Sequence, residues 1–253
     1  MGNLEFYKTH LINLSTWDDF LLKESGLPGP RGNIELGQAV AELGNRALFD
    51  RYLTYKPDVA PTNSPYEFLA FCGVLGLGHL LAEGDYSLLN ILRSLSSDTR
   101  WRMREGVAMA LQRLGDVNMD LLLNEMASWA NGNTHEQRAA AAAICEPRLL
   151  NQERHATQSL SILDLITDSM TRNEDRRSEG YQALRKGMGY CWSVATAALP
   201  HIGKTLMEKW MSFPDKDIQW IMRENLKKNR LVRIDPEWTE RWLKALSTTK
   251  TNP

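Results

Sequence analysis

The sequence of 253 residues has little cysteine and almost no net charge, and it lacks a long apolar run. Its three cysteines, Cys72, Cys145 and Cys191, lie far apart and form no CxxC pair. This is not the pattern of a disulfide framework, so we expect buried, reduced thiols in a cytoplasmic protein. The formal net charge of −1 gives no global basic signal for nucleic acid or for an anionic membrane.

The sequence also shows neither the pattern of a targeting segment nor that of a membrane-spanning segment. The N-terminal residues lack a basic stretch followed by an uninterrupted apolar run, so we expect no secretory signal. The longest apolar run, residues 68–82, is too short to span a bilayer and predicts a buried helix with no membrane partner. Its glycines, Gly73, Gly76 and Gly78, are expected to allow close helix packing.

No constellation of residues indicates catalysis. The histidines are scattered without an HxxxH pair, and GVLGLG at 73–78 lacks the G-x-G-x-x-G order of a phosphate loop. The carboxylate pairs Asp18-Asp19 and Asp164/Asp168 are interpreted as decoration of helix surfaces, with an acid–base or metal role as the alternative. We therefore expect no cofactor and no metal, and the residues favour a protein that is not an enzyme.

The charge that is present is unevenly distributed. Residues 1–170 hold 14 Lys and Arg against 21 Asp and Glu, whereas residues 171–253 hold 16 against 10. The small net charge therefore conceals an acidic part and a basic part, and the basic part predicts a partner that presents acidic groups.

Helical periodicity covers nearly the whole chain, and runs of alternating β-branched residues are scarce. One apolar stripe continues for five turns through Tyr181, Leu184, Met188, Trp192, Ala195 and Leu199. Breakers predict helices near 15–25, 33–43, 46–56, 65–83, 86–96, 99–114, 118–130, 134–145, 155–171, 175–198, 202–212, 217–229 and 236–247. The short joints between them predict an all-α chain of antiparallel helical hairpins.

Two distant stretches share one pattern. Residues 98–105 and 217–224 both read D-x-x-W-x-M-R-E, and a fainter third copy centres on Arg138, 34 residues after Arg104. Steps of this size are the period of two-helix solenoid units.

These residues resemble the HEAT-repeat family, in which an aspartate at a turn precedes an apolar–arginine pair and an alanine-rich stripe. The resemblance covers about 85–233, and phrases such as SGLPGPRGN, DTRWRMREG and RENLKKNRL look like a bacterial HEAT-repeat group that brings no activity with it. It implies a right-handed superhelix. We expect one solenoid over 1–253, with a less regular helical region at 1–63, repeats at 64–234 and a capping helix with a tail at 235–253.

Two sets of residues are candidates, one for a structural role and one for a binding role. The first set is a structural ladder, in which the aspartates cap the second helices and the arginines reach an aspartate of a neighbouring repeat. It consists of Asp98, Arg104, Arg138, Asp217 and Arg223. For Arg104 and Arg223, contact with an anion is the alternative.

The second set comprises candidates for contact with a partner protein or with DNA. It consists of Trp101, Arg102, Arg185, Trp192, Trp220, Lys227, Lys228 and Arg230. Trp101 and Trp220 either pack between repeats, with the indole N–H on a carbonyl, or stand in an aromatic and basic groove.

The expected function is that of a non-enzymatic interaction module whose concave face, lined by the second helices, binds another protein. A more distant, fold-level resemblance to HEAT-like DNA glycosylases for alkylated bases implies the alternative, a groove that binds DNA.

Overall fold

Residues 3–248 are described by a computed structural model, in which 76% of those residues are helical and none forms a strand. The predicted all-α class is confirmed. Contacts divide the chain into two units, Met1–Val117 and Asn118–Pro253. This boundary differs from the divisions expected near 63 and 234, and the single solenoid stays a prediction.

Unit 1 is built from seven α-helices and one short 3-10 turn. They are α1 (Asn3–Ile12), α2 (Asp18–Glu24), α3 (Ile34–Leu43), α4 (Arg46–Tyr52), α5 (Pro65–Ala82), the turn Tyr86–Leu88, α6 (Leu89–Leu95) and α7 (Trp101–Val117). Side-chain caps start three of these helices: the side chains of Asn33, Asn45 and Ser64 accept from the backbone amides of Leu36, Leu48 and Glu67.

The helix α5 is the centre of unit 1 and packs against α2, α3, α4 and α7. A helix that is apolar on all sides must be buried on all sides, and the neighbours approach it through its glycines. A Cβ on Gly76 would lie 2.2 Å from the Phe49 ring, and a Cβ on Gly78 would lie 2.5 Å from the Ala110 Cα. The predicted role of these glycines in close packing is confirmed.

By length and composition alone, α5 is the one helix in residues 3–248 that could cross a membrane. However, 72% of it is buried inside the protein, which is the pattern of a core helix.

Unit 2 contains eight α-helices and a second short 3-10 turn. They are α8 (Met119–Trp129), α9 (Thr134–Ile144), the turn Pro147–Leu149, α10 (Glu153–Thr171), α11 (Glu179–Ala198), α12 (Pro200–Ser212), α13 (Lys216–Leu226), α14 (Asn229–Ile234) and α15 (Pro236–Thr248).

The helix α11 is the centre of unit 2. It packs against α9 and α13 on two sides and against α10 and α12 on others, while α10 also contacts α8 and α12. The predicted five-turn stripe is confirmed, because its first five members are fully buried and Leu199 is 6% exposed. The indole N–H of Trp192 donates to Thr167 Oγ1 at 3.1 Å inside this core.

Several helix boundaries differ from the predictions for identifiable reasons. The helix α1 was not predicted, since it buries only Leu11 and so carries a weak apolar stripe. The joint predicted at Gly115-Asp116 is wrong: α7 continues to Val117, and Gly115 is buried within it. The predicted helix 217–229 is two helices, α13 and α14, which separate at Lys227-Lys228 without a glycine or proline to mark the break.

The contact at Gly78 gives a stability test. Replacing Gly78 by Ala drives the new Cβ into the backbone of α7, so we expect the free energy of unfolding to fall by about 1–3 kcal/mol. The matched control is Gly187→Ala in α11, where the nearest atom to a Cβ, Arg138 Cγ, is at an ordinary 3.4 Å. Denaturant unfolding should show the control unchanged or up to about 1 kcal/mol more stable, and equal effects would contradict the packing.

Candidate binding groove between α11 and α13

The first copy of the repeated motif makes contacts within unit 1. Asp98 Oδ1 accepts from the Arg100 amide at 2.8 Å, and its carboxylate pairs with the Arg100 guanidinium at 2.7 Å. Burial alone would raise the pKa of Asp98, but hydrogen bonds from Arg100 outweigh burial and hold this pKa below its usual value. Arg104 Nη1 donates to the Asp98 carbonyl at 2.7 Å, so both motif residues stabilise the start of α7.

The second copy differs from the first at its aspartate. The N-cap of α13 is Asp215, whose Oδ1 accepts from the amides of Asp217 and Ile218 at 2.9 and 3.1 Å. The capping role predicted for Asp217 is therefore wrong. Asp217 lies inside the first turn, where its carboxylate pairs with Arg185 of α11 at 2.7 Å.

Two of the ladder arginines, Arg104 and Arg223, donate to backbone carbonyls. Arg223 Nη2 donates to the Leu246 carbonyl in α15 at 2.6 Å, which joins α13 to the last helix. Arg138 lies half-buried in α9 beside Gly187 of α11. Arg185, which the sequence had suggested for partner binding, does reach an aspartate on a packed helix, Asp217 of α13.

Arg185 and Trp220 form the first half of a groove between α11 and α13. The Arg185 guanidinium lies over the Trp220 ring at 3.7 Å from the ring centroid, and its ion pair with Asp217 holds it there. The helices are close at this point: a Cβ on Gly189 would lie 3.3 Å from both Trp220 and Glu224. Trp220 is consequently half-buried, with part of its ring in the groove.

Tyr190 forms the second half of the groove and is 43% exposed. Arg230 lies over its ring at 4.6 Å and donates to its hydroxyl at 2.5 Å, while Lys228 Nζ is 5.8 Å from the ring centroid. The Arg230 Nη1 is buried and has no hydrogen-bond partner among residues 3–248. Two aromatic side chains are thus each covered by cations along one groove.

The groove has a volume of about 540 Å³. It is lined by Gln182, Arg185, Lys186, Gly189, Tyr190, Trp220, Glu224 and Lys228. The two carboxylates nearest to it are paired, Asp217 with Arg185 and Glu224 with Lys227 at 2.5 Å. Lys186, Lys228 and Arg230 have no carboxylate within ion-pair distance in the described part of the chain, so the groove carries uncompensated positive charge.

Asn225 fixes the distance between the two helices that form the groove. This fully buried side chain donates to the carbonyls of Met188 and Ile221, both at 2.8 Å, and accepts from the Ser193 amide at 2.7 Å. It therefore bonds to the backbone of α11 on both sides of Gly189 and Tyr190. Sequence reasoning missed Asn225, because an asparagine among RENLKK looks like a solvated residue.

The structure brings together five of the eight predicted binding residues in or beside the groove: Arg185, Trp220, Lys227, Lys228 and Arg230. Trp192 is not among them, because it is fully buried in the core; its interpretation as a groove residue is wrong. Gln182, Lys186 and Tyr190 were missed, although their helical spacing with Arg185 puts them on a polar face of α11 beside the apolar stripe.

Trp101 and Arg102 lie in unit 1. Arg102 is 5% exposed and pairs with the buried Glu67 at 3.0 Å, so its predicted role as a surface contact is wrong. Trp101 is 43% exposed, and the Arg102 guanidinium lies 4.4 Å from its ring centroid. The packed alternative for Trp101, with its indole buried between repeats, is therefore wrong.

Of the four carboxylates considered for acid–base or metal chemistry, three are engaged in ion pairs, and the fourth, Asp19, is exposed. Asp18 accepts from Arg51 at 2.5 Å, Asp164 pairs with Lys209 at 2.9 Å, and Asp168 pairs with Arg172. No group of three or more His, Cys, Asp or Glu residues that could hold a metal ion occurs within residues 3–248.

Comparison with known proteins finds no matching family model, no matching curated protein and no matching solved structure.

The hydrogen bonds by which Asn225 joins α13 to α11 can be tested by mutation. Asn225→Leu removes three hydrogen bonds from a fully buried site, so we expect the free energy of unfolding to fall by about 1–3 kcal/mol. Asn229→Ala, at an exposed position in the same segment, is the control and should stay within about 0.5 kcal/mol of the parent. Denaturant unfolding measures both, and equal stability of the two variants would contradict the assignment.

The N-cap of α13 gives a dependence on pH. Burial alone would raise the pKa of Asp215, but hydrogen bonds from Arg176 and from the α13 amides outweigh it and lower the pKa. A lowered folded-state pKa stabilises the protein above the unfolded value of about 3.9, and this stabilisation is lost as pH falls through the lowered value. We expect Asp215→Asn, which keeps a capping oxygen, to reduce the loss of stability below about pH 4.

Thermal or urea unfolding from about pH 7 to 2.5 measures this dependence. Glu174→Gln, at an exposed residue with no ion pair among the described residues, is the control and should retain the parent profile. Identical profiles for both variants would show that Asp215 does not couple to folding.

Proposed function

We propose that the protein is a non-enzymatic interaction module of the HEAT-repeat type, which binds an acidic segment of a partner protein in the α11–α13 groove. The observation that carries this proposal is the set of three cations, Lys186, Lys228 and Arg230, that lie without carboxylate partners beside two aromatic rings. Trp, Tyr and Arg side chains, such as Trp220, Tyr190 and Arg230 here, are the residues that contribute most to protein interfaces.

The proposed architecture is a right-handed superhelix of hairpins. In unit 2 it is supported by two series of packed helices, α8–α10–α12 and α9–α11–α13, which are the first and second helices of successive hairpins. The groove lies in the second series, where the resemblance to HEAT repeats expects the binding face. The expected compartment is the reducing cytoplasm, and three buried free thiols support it.

An acidic peptide fits the groove better than nucleic acid does. A strand of nucleic acid would extend most of its phosphates beyond the few uncompensated cations of the groove. A groove of about 540 Å³ suits a few side chains instead. The glycosylase alternative also needs a carboxylate that is free to act, whereas Asp217 and Glu224 are both paired with cations.

Binding of a fluorescent oligo-glutamate peptide to the purified chain, measured by anisotropy over a salt series, tests the proposal. Single-stranded DNA and duplex DNA with and without an abasic lesion form parallel arms. We expect the peptide to bind at low salt and to bind more tightly than either DNA. If the peptide does not bind at low salt, the groove is not a binding site for acidic segments and the proposal is overturned. If a DNA probe binds more tightly than the peptide, the groove is a nucleic-acid site and the proposal is likewise overturned.

Substitutions in the groove test whether the peptide binds there. Lys186→Gln with Lys228→Gln should weaken peptide binding on the order of tenfold, and Tyr190→Ala should weaken it by a similar factor. All three positions are exposed or half-exposed, so the fold should persist. Lys216→Gln, at an exposed lysine outside the groove lining, is the matched control; a loss as large as that of the double variant would indicate nonspecific attraction.

A further inference from the structure

A second concave site lies wholly within unit 1. Its volume is about 380 Å³, and it lies between the loop 25–33 and one face of α7. It is lined by Pro30, Arg31, Gly32, Ile34, Phe71, Trp101, Arg102, Glu105 and Met109. The four residues from α7 follow helical spacing, so a single helix face forms one wall.

Hydrogen bonds of Gly29 hold the opposite wall in position. Arg102 Nη2 donates to the Gly29 carbonyl at 2.6 Å, and the Gly29 amide donates to Asn63 Oδ1 at 3.0 Å. The ion pair between Arg102 and the fully buried Glu67 anchors this arrangement to α5. The loop that continues through Pro30 is thus tied to α5 and α7, and the cavity is formed in advance of any ligand.

The apolar part of the cavity is flat and accessible. Trp101 and Ile34 are both 43% exposed, which is unusual for large apolar side chains in a concave site, and Phe71 lies beneath them. The Arg102 guanidinium covers part of the indole at 4.4 Å from its centroid and fixes the ring orientation. An aromatic ring of a ligand can therefore stack or pack edge-on in this space.

The charge left uncompensated in the cavity is positive. Arg31 is exposed and makes no ion pair or hydrogen bond among the described residues. Arg102 Nε is buried without a hydrogen-bond partner, whereas Glu105 is already engaged in an interaction. An exposed guanidinium without a carboxylate partner favours an anionic acceptor, so a ligand that carries a carboxylate gains a charge-assisted contact with Arg31.

We infer that this cavity binds a small aromatic carboxylate, with its ring against Trp101, Ile34 and Phe71 and its carboxylate on Arg31. The volume is that of a small-molecule site and is shared between an apolar surface and a few polar groups. This inference does not depend on the proposed function of the groove, because the two sites share no residue.

Titration calorimetry of the full chain with 2-naphthoate, and with its neutral analogue 2-naphthamide, tests this inference. We expect naphthoate to bind about tenfold more tightly than the amide, and Arg31→Gln to remove that difference. Trp101→Ala should weaken the binding of both probes by about tenfold or more. Arg177→Gln, at an exposed unpaired arginine in unit 2, is the matched control and should leave both affinities unchanged.

Each outcome decides the question. The inference is overturned if naphthoate does not bind the parent protein. It is also overturned if naphthoate binds the Arg31→Gln and Trp101→Ala variants as tightly as the parent while both variants keep the parental unfolding temperature. The groove variant with Lys186→Gln and Lys228→Gln should bind naphthoate as the parent does. Failure of the peptide experiment and failure of this one are therefore distinguishable.

Discussion

Each unit depends on one long helix that is packed on several sides. On the buried faces of such a helix, neighbours can approach only where side chains are small or where a polar group has a specific partner. In unit 1 the small side chains are the glycines of α5, which admit Phe49 and the backbone at Ala110. In unit 2 the polar group is Asn225, two of whose three hydrogen bonds join α13 to the backbone of α11.

The packing of these central helices also determines where functional side chains can lie. The apolar stripe, which includes Trp192, occupies the buried face of α11, and the adjacent face presents Arg185, Lys186 and Tyr190 to the groove. Asn225 fixes the separation of α11 and α13 at this position, and the groove keeps a defined width. The α7 face that lines the smaller cavity is positioned in a similar way, by the buried pair of Arg102 and Glu67.

Some charged side chains stabilise the fold through ion pairs, and others have no ion pair and are available to a ligand. Asp98, Asp215 and Asp217 each compensate a nearby arginine, and burial makes this compensation necessary. The available cations are Lys186, Lys228, Arg230 and Arg31, which have no carboxylate partner among the described residues. An excess of one charge at a concave surface favours a ligand of the opposite charge, which is the shared basis of both proposed sites.

The sequence by itself determined the all-α class, most helix boundaries, the buried stripe of α11 and the packing role of the α5 glycines, because these follow from periodicity and local side-chain chemistry. It also identified five residues that meet at the groove. Only the tertiary structure decided that Asp215 rather than Asp217 caps α13, that Trp192 and Arg102 are buried, and that Trp101 is exposed. The physical reason is that capping and burial depend on which helix packs opposite a residue, and a residue's own neighbours in the sequence do not carry that information.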